Sequence, residues 1–189
     1  MKGQFFIIGA LALILFMFYA HYNARFDLPK TADYSQNLFS NMKTEILRSA
    51  SYAYYQGAYS HSVESNVSSF VDFLRNVSTS HGQRLETLVI VMIPLSSSYN
   101  VSAINFLSQT IDLNITISGV EKNTTGLVDK GVAKFVFSGV DENATVSVTY
   151  MRAGAKLSDA FNITARKLNT YAEIRLLSSL STWSDRVTG

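Results

Sequence analysis

One oily run near the start of the chain limits what can follow it. Phe5 to Ala20, FFIIGALALILFMFYA, carries no charged residue and no proline. As a helix these sixteen residues reach about 24 Å. A bilayer core measures about 30 Å. Gln4 at one end and Tyr19, His21 and Tyr22 at the other extend the span into the interfaces, where polar-tipped aromatic rings are favoured. Such a run serves as a removable secretion signal, a retained membrane anchor or the buried spine of a fibre. Signal cleavage asks for small side chains just before the cut. Ala20 satisfies the last position, but Phe18 is large and the Phe-Met-Phe-Tyr stretch offers no good junction. An uncleaved anchor over residues 1–22 is the expectation, with membrane lipid as its first partner.

Which side of the membrane holds the remainder is read from Asn-X-Ser/Thr. The triplet occurs at Asn66, Asn76, Asn100, Asn114, Asn123, Asn143 and Asn162, seven of the twelve asparagines. It marks glycan acceptors on exported proteins, and all seven follow the oily run. The same residue types are also common in β turns, which inflates the count. Lys2 and the terminal amine face Arg25 and Lys30 across the run, so basic charge alone hardly orients it. The sequons then point to a single-pass protein of the cell membrane, N-terminus in the cytoplasm and the rest outside. Cysteine is absent, which removes disulfides and thiolate metal sites but says nothing of compartment. A formal charge of +2, scattered without a basic stripe, argues against nucleic acid as a partner.

The opening Lys2-Gly3-Gln4, followed at once by Phe5-Phe6-Ile7-Ile8-Gly9, resembles the class III signal of archaeal type IV pilin-like proteins. The resemblance covers about the first twenty residues. It implies a prepilin-type peptidase cutting between Gly3 and Gln4, with the oily helix kept on the mature chain. That helix would first hold the subunit in the membrane and then pack among self or other pilin-like subunits. Ile8 stands where major pilins of the bacterial branch carry a glutamate, and the basic leader is reduced to Lys2.

Beyond Pro29 the periodicity turns helical. Tyr34, Leu38, Phe39, Met42, Ile46, Ala50 and Ala53 recur mostly at spacings of three or four, predicting a helix from Asp33 to about Tyr55. Thr31 or Asp33 can cap its start, and Gly57 is its expected stop. A second amphipathic segment runs from about Ser62 to Arg75, with Val63, Val67, Phe70, Val71 and Leu74 on one side. Residues 23–82 are thus read as a helical stalk or hairpin. The tyrosines of SYAYYQGAYS read as packing between the helices, with an aromatic binding platform as the alternative.

From Leu85 the period becomes two. LETLVIVMIP is a short continuous apolar run ended by Pro94, as in a buried strand. IDLNITI, KFVFSGV and ATVSVTYM alternate, and residues 139–143 between the last two read as a turn. FNITARK, YAEIRLLSS and WSDRV continue the series. Six to eight strands over 83–189 predict an antiparallel β-sandwich of immunoglobulin-like size. The fold class expected for the whole chain is α+β: transmembrane helix, helical segments, then sandwich.

A search for chemistry finds little. His21, His61 and His81 are isolated, and no phosphate loop or nucleophile motif is present. Asp141 and Glu142 offer hard oxygens for calcium but read better as a solvated turn. No metal, cofactor or catalytic residue is expected, and the chain is not read as an enzyme. The expected function is structural or adhesive, as a pilin-like or pseudopilin-like subunit of a surface appendage or secretion system. The alternative is a monomeric anchored module that binds an extracellular ligand.

Overall fold

The computed structural model describes residues 31–57, 60–141, 143–164, 166–179 and 181–189. The oily run and the Gly3–Gln4 junction lie outside the described residues. Among the described residues two helices come first, α1 (Thr31–Tyr55) and α2 (Ser60–Ser80). Nine strands follow: β1 (Arg84–Pro94), β2 (Ser98–Phe106), β3 (Ile111–Ile117), β4 (Val120–Leu127), β5 (Val132–Ser138), β6 (Thr145–Arg152), β7 (Ala155–Asn162), β8 (Asn169–Leu177) and β9 (Thr182–Thr188). Phe39–Gly189 forms one compact unit; the described residues before it are the first turns of α1.

The strands form two antiparallel sheets. Sheet A has the order β5-β2-β1-β8-β9 and sheet B the order β4-β3-β6-β7. The protein is therefore α+β, with a β-sandwich carrying a helical layer on one side. Among the described residues no helix is long and apolar enough to cross a membrane.

The core between the sheets comes from alternate residues of each strand. Leu88, Ile90 and Met92 of β1 meet Leu113, Ile115 and Ile117 of β3 and Val146, Val148 and Tyr150 of β6. The other phase of β1, with Leu85, Val89, Val91 and Ile93, is just as buried, because α2 covers it. This explains the continuous apolar run: a strand between two layers has no wet face.

The helical layer forms from the apolar stripes. Phe39, Met42, Ile46, Ala50 and Ala53 of α1 are buried, as are Val63, Val67, Val71 and Leu74 of α2. Each fully buried valine contributes about 1.5–3 kcal/mol. Ser78 Oγ, near the end of α2, lies 4.0 Å from Met42 Sδ of α1, as an antiparallel hairpin requires. Gly57, at φ +77°, follows α1 in the left-handed conformation expected of its stop. α2 ends with His81 Nδ1 2.8 Å from the Val77 carbonyl, a favourable position for an imidazole at a helix C-terminus.

Polar ties fasten this layer to sheet A. Ser102 of β2 donates a hydrogen bond to Glu64 of α2, whose other oxygen is 2.8 Å from Lys134 Nζ of β5. Lys43 of α1 reaches Asp185 of β9 at 2.5 Å. Arg75 contacts Asp129 at 3.2 Å and lies over the Phe106 ring.

Several expectations change. Three strands were not expected, β2, β4 and β7. FNITARK is not a strand of its own: Phe161 and Asn162 end β7, and the chain then leaves the sheet. Tyr52 and Tyr55 do not pack between the helices but stand 71% and 81% exposed, because the buried stripe through Ile46, Ala50 and Ala53 points them the other way.

Candidate functional site

Two regions of the head carry polar side chains in arrangements that packing alone does not require. The first is the outer face of sheet B. Since Leu113, Ile115 and Ile117 point inward, Asp112, Asn114 and Thr116 of β3 point out. Register places Asn114 opposite Asn123 on β4 and opposite Thr149 on β6. Thr149 and Ser158 share a hydrogen bond of 3.0 Å, and Thr145 Oγ1 donates to Asn162 Oδ1 at 3.0 Å. The result is a wet face of hydroxyl and amide groups, as expected of an antiparallel sheet with one solvated side.

Two tight turns build this face. Ser118-Gly119 joins β3 to β4 and Ala153-Gly154 joins β6 to β7, with positive φ at all four residues (49°, 77°, 47° and 80°). That pair of conformations gives the type I′ hairpin, whose twist matches that of the strands it links.

The second region lies between the sheets at one end of the sandwich. Glu86 of β1 is 1% exposed and pairs across the interior with Arg152 of β6, and with Arg84 at 2.8 Å on its own strand. Nearby, Arg186 of β9 stands 3.6 Å from Glu173 of β8 and 3.5 Å from Asp159 of β7. Glu173, Arg175, Ser184, Asp185, Arg186 and Leu157 line an open cleft of about 380 Å³. Burial, with the Glu173 carboxylate next in effect, pushes the Tyr150 and Tyr171 hydroxyls well above the usual tyrosine value of 10.0. The Tyr150 and Tyr171 hydroxyls and Glu173 Oε2 complete no well-formed hydrogen bond within the protein. Tyr171 stacks flat on Phe161 at 4.9 Å.

The seven sequon asparagines do not converge on one site. Asn66 and Asn76 are exposed on α2, Asn100 is half-buried on β2 facing the helical layer, and Asn114, Asn123, Asn143 and Asn162 belong to sheet B or its approach loop. The Asn114 amide donates to Glu121. Among the described residues no group of His, Asp and Glu is gathered that would hold a metal ion. The group of Glu86, Arg152, Glu173 and Arg186, of which the two carboxylates are buried, is not marked as a group by the sequence, because its members lie far apart in the chain and each looks like a surface charge. The one available signal was Glu86 inside an otherwise apolar run.

Comparison with protein-family models, with curated proteins and with solved structures finds no match.

Proposed function

We propose that the chain is a membrane-anchored subunit displayed outside the cell, with a structural or adhesive role of the pilin-like or pseudopilin-like kind. The oily N-terminal run holds it in lipid or among neighbouring subunits, and the sandwich head is what the outside meets. The observation that carries this reading is the outer face of sheet B, which turns sequon asparagines and hydroxyls together into solvent. A glycan needs such a surface, being bulky and hydrated. The N-terminal oily run and the Lys2-Gly3-Gln4 opening add the anchor and its processing.

The test is the terminus of the mature chain extracted from membranes. Mass spectrometry that finds Gln4 first supports pilin-type processing, and loss of thin surface fibres on deleting the gene supports assembly. An intact Met1 on a membrane-extracted chain favours a plain anchor. A freely soluble product starting beyond Ala20 defeats both. The cleft bounded by Glu173, Arg175 and Arg186 favours the second reading, an anchored module that binds a small polar ligand.

A further inference from the structure

The seven sequons differ in whether both ends of the motif can be reached. A transferase must approach the asparagine amide and also read the hydroxyl two residues on. Asn76 is exposed, but its Ser78 is 0% exposed and donates back to the Leu74 carbonyl at 2.8 Å. Asn100 is half-buried, and its Ser102, 2% exposed, is committed to Glu64 beneath the helical layer. Freeing either hydroxyl means lifting a helix off the core. Asn66 sits in the interior of α2 beside the fully buried Val67, and its Ser68 is half-buried. Asn114 lies on β3 between two paired strands, donates its amide to Glu121 and has a half-buried Thr116.

The remaining three motifs are open at both ends: Asn123 with Thr125, Asn143 with Thr145, and Asn162 with Thr164. Asn123 and Asn162 are on the edge strands of sheet B, and Asn143 is in the loop before β6. The side-chain bond between two of them, Thr145 to Asn162, is exposed, where water replaces it at little cost.

We propose that glycans are added to the folded head, at Asn123, Asn143 and Asn162 only, so that sugar coats the sheet B side and the helical layer stays bare. This rests on the export reading above. The donor is a sugar activated as a phosphate ester on a lipid carrier. Asparagine Nδ2 bonds to the anomeric carbon, the anomeric C–O bond breaks, and the carrier phosphate leaves with the electron pair. The amide loses one proton to a base of the transferase. Two of the serine motifs then have a different use: Ser102 is an interior donor that ties helix α2 to β2, and Ser78 is an interior donor within α2 itself.

The test is site-by-site glycopeptide mass spectrometry on the full chain extracted from its native membranes. Sugar at Asn123, Asn143 and Asn162 is expected, with bare asparagine at the other four. A variant carrying N123Q, N143Q and N162Q is expected to lose all attached sugar, whereas N76Q with N100Q keeps the native glycan mass. Sugar at Asn66, Asn76, Asn100 or Asn114 overturns the selection and leaves the export reading standing. A chain with no sugar at any site overturns the proposal, while the export reading is decided separately by the mature terminus of the same extracted chain.

Discussion

Glu86 of β1 and Arg152 of β6 join the two sheets through an ion pair inside the sandwich, with Glu86 almost wholly shut off from water. Removing one member of such a pair strands the other charge, which costs about 3–5 kcal/mol. Arg84, 2.8 Å from Glu86, keeps part of that charge compensated, so R152M is expected at the lower end of the range. Replacing both with apolar residues of similar volume, E86L with R152M, is expected to cost less than either single change. Urea midpoints at constant m-value check this. A double variant whose loss equals the sum of the singles would show that the pair is not coupled.

Asn105 closes the β2 end of the crossing between sheets. Its amide nitrogen donates to the carbonyls of Gln109 (2.8 Å), Leu127 (2.8 Å) and Val128 (3.1 Å), and its oxygen accepts from Leu107 N at 2.9 Å. N105A leaves buried backbone groups unpaired, at about 1–3 kcal/mol for each group not rescued by water. A lower melting temperature is expected, with hydrogen exchange accelerated first at Leu107 and in residues 127–131.

The β6–β7 turn carries a local defect that can be repaired. Ala153 sits at φ 47°, a left-handed conformation that costs a residue with Cβ about 1–2 kcal/mol and that asparagine tolerates better. A153N, which creates the Asn-Gly pair favoured in type I′ turns, is expected to stabilise the head by about 0.5–1 kcal/mol. Thermal melting of the variant beside the native chain decides it, and an unchanged or lower midpoint counts against the turn assignment.

Alkaline pH tests the buried tyrosines. Burial raises the hydroxyls of Tyr99, Tyr150 and Tyr171 above their usual value of 10.0 in the folded protein. Above that value the unfolded chain gives up these protons while the folded chain keeps them. Stability is therefore fully present below pH 10 and falls as pH rises beyond it. Spectroscopic titration is expected to show these three ionising only as the fold opens. Three normal titrations in a folded protein would refute the burial.

The legible parts of this fold are those where period and burial agree. Both helices, the doubly buried β1 and the alternating β3, β5 and β6 were readable because their apolar residues recur at one spacing. β2 was hidden because Asn100, Ser102 and Asn105 interrupt its pattern, two of them to tie down other elements. β4 (VEKNTTGL) and β7 (AKLSDAFN) are edge strands with little to bury, so they hold few strand-forming residues. Ser118-Gly119 and Ala153-Gly154 were the available signs of their turns. Of the inter-sheet charges only Glu86, set in an apolar run, was marked in the sequence, since the fold alone brings it together with Arg152, Glu173 and Arg186 at one end of the sandwich.

A strand that is greasy on both sides has no preferred way up. Hydrophobic alternation ordinarily forbids a one-residue slide, because the slide turns an apolar face to water. In β1 the slide would only exchange Leu88, Ile90 and Met92 for Val89, Val91 and Ile93. What resists it is polarity near one end: Glu86 finds its guanidinium in one alignment, as Thr87 Oγ1 finds the Glu173 carbonyl at 2.7 Å. E86L combined with T87V is thus expected to yield a folded mixture, seen as doubled amide resonances along β1, whereas a single set would mean that alignment is set elsewhere.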